Sequence, residues 1–276
     1  MTGHNRMPVR QIIVHGDCWP VTTAVAHLVR ACLPGSDCES TYRLPALLQH
    51  LRRKPEAILI LCLRPREHLF LFYALRRTLP EHPVMVISDE LLFSDRVVLK
   101  VYGGVPALAE QALEKILIRV RRGEQWSGGA RLRVTGGLDA FLLSPAPVTG
   151  FMEVPPIFNS PKRLINCMDH LMHREMLACG VSPAQLRLLQ EVYRGRGRLS
   201  ALCGKLNARE KQIWQDKYRL LVKLGMRNRL RELLSGTRFC METQRTVFMA
   251  PADTGDSRRC PGTVSLSGTE KTGRRA

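Results

Sequence analysis

The sequence predicts an α/β N-terminal domain, then a linker, then an all-α C-terminal domain. Between residues 9 and 120, short apolar runs alternate with amphipathic stretches, a pattern typical of buried parallel strands with helices on both faces of the sheet. Residues 121–160 carry paired glycines and several prolines with little periodicity, which indicates a linker. Residues 161–236 combine helical periodicity with a concentration of basic charge, which favours a separate helical domain.

The N-terminal pattern can be assigned element by element. We expect strands at residues 11–14, 57–63 and 84–87 and helices at residues 21–32, 44–53 and 68–79. A last helix over residues 105–120 would place Leu108, Ala112, Ile116 and Ile118 on its apolar face. That face either covers the sheet or associates with another subunit, and the sequence leaves both open. Within the linker, residues 132–143 are compatible with a short hairpin.

Composition excludes several classes of protein. The chain of 276 residues is 45% hydrophobic and 24% charged, as globular proteins are. Its longest apolar run, residues 57–63, is far shorter than the roughly 20 residues that cross a bilayer, and residues 1–14 lack the apolar core of a signal peptide. Nine cysteines without a CxxC pair indicate reduced thiols. We therefore expect a cytoplasmic protein without a membrane partner.

Catalytic and metal sites find little support in the sequence. Cys18 or Cys62 could act as a nucleophile with a histidine, but no spaced base or oxyanion motif accompanies either thiol. His170 and His173 lie three residues apart on a predicted helix over residues 161–179, without a third ligand. We expect no enzyme activity, no catalytic residue, no cofactor and no metal.

The basic charge is concentrated in residues 181–234. The chain has a formal net charge of +18, and this segment holds 13 Lys or Arg residues against 4 Asp or Glu residues. About half of the net charge therefore lies in about a fifth of the chain. A compact positive surface of this kind attracts a polyanion such as nucleic acid, although a basic stretch can also merely solvate a helical face.

The same segment has the pattern of a helix-turn-helix. Ser182 and Pro183 suit the start of a first helix, and a short apolar stripe over residues 199–206 indicates a second. A third helix over residues 209–224 ends at Gly225, where a left-handed residue terminates many helices. In a helix-turn-helix, the helix that follows the turn enters the major groove of DNA.

These residues resemble the DNA-binding domain of the LuxR/NarL (GerE-type) family of bacterial transcription regulators, over about 54 residues. The closing Leu-x-x-Lys-Leu-Gly-Val-x-x-Arg motif of the family is matched by Leu220, Lys223, Leu224, Gly225, Met226 and Arg229. The family's recognition-helix lysine and histidine are replaced by Trp214 and Asp216. The resemblance implies DNA contacts from Arg209, Lys211, Gln212, Trp214, Gln215, Tyr218, Arg219, Lys223 and Arg229. Trp214 and Tyr218 either contact bases or pack within the protein.

Residues 9–120 are similar to the receiver domain, of flavodoxin-like fold, that precedes this unit in NarL-like regulators. The family's reaction needs an acidic pair after the first strand for magnesium, an aspartate at the end of the third strand and a lysine after the fifth. Here Asp17 is the one candidate for the acidic pair, and Leu61 or Cys62 occupies the acceptor position. Ser88 matches a family hydroxyl, and Lys100 is a candidate for the lysine. We expect a degenerate receiver that keeps the fold and loses the reaction.

The resemblance implies a DNA-binding transcription regulator that is controlled without phosphorylation. Its expected partners are double-stranded DNA and a second subunit, in a homodimer or in a heterodimer with another response regulator. The alternative is an auxiliary heterodimer partner with little DNA specificity of its own. Residues 237–276 are polar and rich in small residues towards the end, so we expect a disordered tail.

Overall fold

The computed structural model describes residues 10–114, 118, 137–155, 157–194, 199–206 and 209–250. Within these residues the strands form a five-stranded parallel sheet in the order β2-β1-β3-β4-β5. The strands are β1 (Gln11–Gly16), β2 (Asp37–Thr41), β3 (Ile58–Cys62), β4 (Val84–Ser88) and β5 (Ala107–Ala109). This is the flavodoxin-like order, in which ligands bind where β1 and β3 diverge at their carboxyl ends. The predicted receiver-like fold is confirmed.

Helices cover both faces of this sheet. They are α1 (Trp19–Cys32), α2 (Leu44–Arg53), α3 (Leu69–Leu75), α4 (Phe93–Val101) and, within the segment predicted as a linker, α5 (Leu138–Leu143). Alternate residues of each strand point to opposite faces, so Ile12 and Ile60 pack with α1 and α5, whereas Ile13 and Leu59 pack with α2, α3 and α4. Both faces are apolar because each one is covered, which explains the continuous apolar runs of β3 and β4.

Several predicted elements differ from the structure. The helix predicted at 68–79 is shorter and follows a 3₁₀ turn, Pro65–Glu67. The helix predicted at 105–120 is wrong at its start, because Ala107–Ala109 form β5, and residues 115–117 and 119–120 lie outside the described residues. The predicted hairpin is wrong over 138–143, where α5 lies, and residues 132–136 lie outside the described residues. Lys100 is exposed on α4, before β5, so its assignment as the lysine after the fifth strand is wrong.

The C-terminal part is helical, as predicted. Its helices are α6 (Pro161–Ala178), α7 (Pro183–Tyr193), α8 (Leu199–Leu206), α9 (Glu210–Lys223) and α10 (Leu230–Gly236). Ser182 caps α7 by accepting a hydrogen bond from the Gln185 amide, and the Gln185 side chain accepts one from the Ser182 amide in return. Gly225, at φ 57°, follows α9 in the predicted left-handed conformation. No described helix is both long and apolar enough to cross a membrane.

The helical part packs against α4 of the α/β part. The hydroxyl of Ser94 donates to the carbonyl of Ser235 at 3.0 Å, and the Arg96 guanidinium donates to the carbonyl of Leu224. Buried apolar residues of α4, α6, α9 and α10 belong to one continuous core cluster with those of β3 and β4. The two parts are therefore joined by a shared core.

A final segment, residues 237–250, returns across the α/β part, and we call it the C-terminal strap. Phe239 is buried, Met241–Thr243 form a 3₁₀ turn, and the ring of Phe248 stacks on that of Tyr73 with centroids 5.7 Å apart. The prediction of a disordered tail is wrong for these residues, because they have specific apolar and polar partners. Residues 251–276 lie outside the described residues.

Candidate functional site

The buried side of α9 determines which of its residues face outward. Ile213 packs with Leu188 of α7 and Leu202 of α8, and Leu220 and Leu221 enter the larger core. Helical periodicity then places the residues between these positions on the opposite face. The outer face of α9 carries exposed basic and amide side chains as a consequence.

The predicted DNA-contact residues lie mainly on this outer face. Exposed residues of α9 are Glu210, Lys211, Gln212, Trp214, Gln215, Tyr218, Arg219, Val222 and Lys223. Arg209 is the N-cap residue of α9 and is exposed, as is Arg229 at the N-cap of α10. Arg209, Lys211 and Arg219 share this region with Gln212 and Gln215, so cationic and amide side chains lie together on this helix and at its N-cap.

Two of the predicted contact residues also have partners inside the protein. The ammonium of Lys223 donates to the carbonyl of Gly180 and, at 3.2 Å, to Oε1 of Gln185, which links the end of α9 to the start of α7. Arg229 Nε lies 3.9 Å from a carboxylate oxygen of Glu232. Lys223 therefore helps to orient α9 in addition to adding charge to its surface.

Trp214 and Tyr218 differ in how much their rings pack against the rest of the protein. The ammonium of Lys217 lies 4.0 Å from the centre of the Trp214 ring, and burial lowers the pKa of Lys217. Trp214 is 44% exposed, whereas Tyr218 is 55% exposed. Trp214 thus packs in part against its own helix, and Tyr218 projects more freely from the outer face.

Val222 is a residue of this face that the sequence reasoning missed. It is 56% exposed and continues the line of Trp214 and Tyr218 at four-residue spacing. That spacing is the signal that could have found it, since residues four apart lie on one side of a helix. The outer face of α9 therefore has an apolar line beside its basic residues.

The pocket of the receiver-like fold lies at the carboxyl ends of β1, β3 and β4. It is a cavity of about 250 Å³, lined by residues that include Asp17, Cys18, Cys62, Arg64, Ser88, Asp89, Glu110 and Arg245. Asp17 and Ser88 are where the sequence predicts them. Arg245 comes from the C-terminal strap, and nothing in the sequence pattern indicates its presence.

The residues of this pocket do not fit the magnesium ion that the receiver fold implies. Cys62 ends β3 at the acceptor position, and burial raises the pKa of its thiol, which keeps it neutral. Asp17 accepts a hydrogen bond from Nε2 of His68 at 3.3 Å and another from Arg245. These bonds, that of His68 foremost, lower the pKa of Asp17 to about 2, so the carboxylate is ionised. Its negative charge is already balanced by the guanidinium of Arg245.

A second carboxylate of the pocket is also paired. Both carboxylate oxygens of Asp89 accept hydrogen bonds from the guanidinium of Arg64, and this pairing lowers the pKa of Asp89. The hydroxyl of Ser88 donates to the carbonyl of Glu90 at 2.8 Å. Among the described residues, no group of three or more His, Cys, Asp or Glu side chains is arranged to hold a metal ion.

Comparisons with known proteins give distant structural similarity only. No family model and no curated protein matches the sequence. RcsB from Salmonella enterica serovar Typhimurium, bound to a promoter with the phosphomimetic BeF3-, is 16% identical, with a TM-score of 0.45 over 83% of this chain and 98% of that chain. A structure of two RcsB dimers on two parallel DNAs is 14% identical, with a TM-score of 0.44 over 82% of this chain and 97% of that chain.

The response regulator StyR is also similar, at 17% identity and a TM-score of 0.30 over 82% of this chain and 96% of that chain. Identities and TM-scores as low as these do not define the function of this chain.

Proposed function

We propose that this protein is a DNA-binding transcription regulator of LuxR/NarL type that acts without phosphorylation of its receiver-like domain. The observation that carries the proposal is the outer face of α9, where Lys211, Gln215 and Arg219 are exposed on the helix that follows α8 along the chain. Cations on such a helix contact phosphates and its amides contact base edges in the major groove. The function is therefore one of binding, without catalysis.

The packing of the two parts is compatible with DNA binding in the described conformation. The α9 helix touches α4 through its C-terminal end, where Arg96 binds the carbonyl of Leu224. Lys211, Gln215 and Arg219 precede that end of the helix and are exposed. DNA binding then requires no separation of the two parts, and a phosphorylation step to expose α9 is unnecessary.

A gel-shift series with genomic fragments tests the role of α9. We expect the double substitution Lys211→Ala and Arg219→Ala to weaken binding on all fragments, because two phosphate contacts are lost. The slope of log affinity against log salt should fall by about 2, since each contact contributes about one released counterion.

The matched control removes two basic residues elsewhere. Lys162 and Arg163 are exposed on the first turn of α6, a different helix from α9. The double substitution Lys162→Ala and Arg163→Ala changes the net charge equally and should leave the salt slope near that of the unchanged protein. Equal losses in both variants would mean that the total charge matters and that α9 has no special role.

A second candidate function is that of an auxiliary partner of another response regulator. It is favoured by the recognition positions themselves, because Trp214 and Asp216 replace the lysine and histidine of the family. Such a protein would show weak and nonspecific DNA binding alone, and specific binding only with its partner. Gel shifts with and without a candidate response regulator distinguish the two functions.

A further inference from the structure

We propose that the C-terminal strap holds the receiver-like domain in one state, and that the guanidinium of Arg245 takes the place of the metal cation of a receiver pocket. The domain would then need neither Mg²⁺ nor a phosphoryl donor to stay in that state. This inference concerns regulation and goes beyond DNA binding, on which it does not depend.

The strap is attached to the α/β part by directional hydrogen bonds. The side chain of Gln244 accepts from the amide of Leu69 at 3.0 Å and donates to the carbonyl of Arg66 at 2.9 Å. The amide of Arg245 donates to the carbonyl of Glu67 at 2.8 Å. A side-chain amide bonded to the backbone on both sides fixes the register of the strap, because a shift by one residue would break all of these bonds.

The charged end of the strap lies in the pocket. The guanidinium of Arg245 binds the carboxylate of Asp17 and, through Nε at 2.9 Å, that of Glu67. Asp17 directly follows β1, where receiver chemistry places its metal-binding acids. A divalent cation needs carboxylate oxygens as ligands. Here one oxygen of Asp17 already accepts a hydrogen bond from the guanidinium of Arg245. The chain itself thus supplies a cation at the pocket, on the half-exposed side chain of Arg245.

His68 joins the strap to the same carboxylate. With its proton on Nε2, the ring donates to Asp17 and accepts at Nδ1 from the hydroxyl of Thr246 at 2.8 Å. Asp17 is therefore contacted by two groups that both depend on the position of the strap. Moving the strap would leave Asp17 with unbalanced charge, so the pocket and the strap are energetically coupled.

The other end of the strap is attached to the helical part. The amide of Phe239 donates to the carboxylate of Asp169 on α6 at 2.9 Å, and the hydroxyl of Tyr193 on α7 donates to the carbonyl of Thr237 at 2.8 Å. The strap therefore connects the helices that support α9 to the pocket at the carboxyl ends of β1, β3 and β4. Release of Arg245 would loosen this connection.

Hydrogen exchange on the full chain tests the proposal. We expect the amides of residues 244–246 to be protected, and Arg245→Gln to raise their exchange rate about tenfold or more, because a charge-assisted bond is lost. Asp17→Asn should act in the same direction. The double variant should exchange little faster than either single variant, since both substitutions remove the same interaction.

Mg²⁺ gives a second, independent readout. In the unchanged protein we expect Mg²⁺ to leave the exchange of the strap and of the loop after β1 unaltered. Arg53→Gln, an exposed substitution on α2, is the control for removal of a charge, and protected amides in β3 and β4 show that each variant is folded. Exchange in Arg245→Gln equal to that of the control would overturn the proposal, as would strap release by Mg²⁺ in the unchanged protein.

Discussion

At the scale of single residues, buried His15 makes the stability of the protein depend on pH. Its side chain is 4% exposed and Nδ1 lies 2.9 Å from the hydroxyl of Thr41. Burial, with a smaller electrostatic contribution from nearby His68, lowers the pKa of His15 from 6.5 to about 4. The folded protein therefore keeps this imidazole neutral at pH values where the unfolded chain protonates it.

The sign of the effect follows from this difference. Above pH 6.5 both states hold His15 neutral and it contributes no pH dependence. As the pH falls from 6.5 towards 4, only the unfolded chain gains the proton, so the free energy of unfolding decreases by up to about 3 kcal/mol. Urea titrations at pH 7.5 and pH 4.5 should show a smaller difference for His15→Gln than for the unchanged protein. The same difference in both proteins would contradict the account, and exposed His27→Gln is the control.

Contacts between residues far apart in the sequence could not be predicted. Asp17 could be recognised as a remnant of the receiver pocket from its position after β1, but its partner Arg245 lies 228 residues away. Arginines occur throughout the C-terminal sequence, and no spacing distinguishes this one. Only the path of the strap brings it to Asp17.

At the scale of elements, α9 allows the roles of its two aromatic residues to be separated. Tyr218→Ala should weaken DNA binding and change the free energy of unfolding by less than about 0.5 kcal/mol, because the ring is more than half exposed. Trp214→Ala should lower both the DNA affinity and the free energy of unfolding, since Lys217 loses the ring that covers its ammonium. Fluorescence anisotropy with labelled DNA and urea unfolding measure the two effects. A Tyr218→Ala variant with unchanged DNA affinity would show that this ring does not contact DNA.

Elements with strong local signals were predictable, and those stabilised by distant partners were not. The α2 helix has the predicted bounds, since an apolar stripe and Pro45 define it locally. β2 was missed because it is a polar edge strand in which Cys38 and Thr41 are its buried residues. α4 was missed because the helical part covers it and removes the contrast between an apolar and a polar face. The strap was missed because its apolar residues, Phe239 and Phe248 among them, pack against partners in other elements.

At the scale of the whole molecule, the α/β part and the helical part are joined twice, through α4 and through the strap. α4 contacts α6 and α10, and the strap leads from the end of α10 to the pocket beside β1. Residues from Ile13 to Phe239 contribute to one continuous buried cluster. The helical part is therefore held in a defined position, with the outer face of α9 exposed.

The bounds proposed from the sequence for the domains, at 9–120 and 161–236, remain a prediction. Because the two parts share a core, separate expression of the α/β part would expose apolar surface of α4. The sequence indicated two domains because the linker and the change in periodicity are local signals. The contact between the domains depends on surfaces that the sequence does not pair.

The central claim is specific DNA binding that does not depend on phosphorylation, and footprinting of the unchanged protein tests it most directly. Genomic fragments are incubated with the full chain and excess competitor DNA, with and without acetyl phosphate and Mg²⁺. The account predicts a defined footprint that survives the competitor and is the same under both conditions, because the acceptor position holds Cys62 and Arg245 neutralises Asp17. A footprint that appears only with acetyl phosphate, or the absence of any protected site, would contradict it.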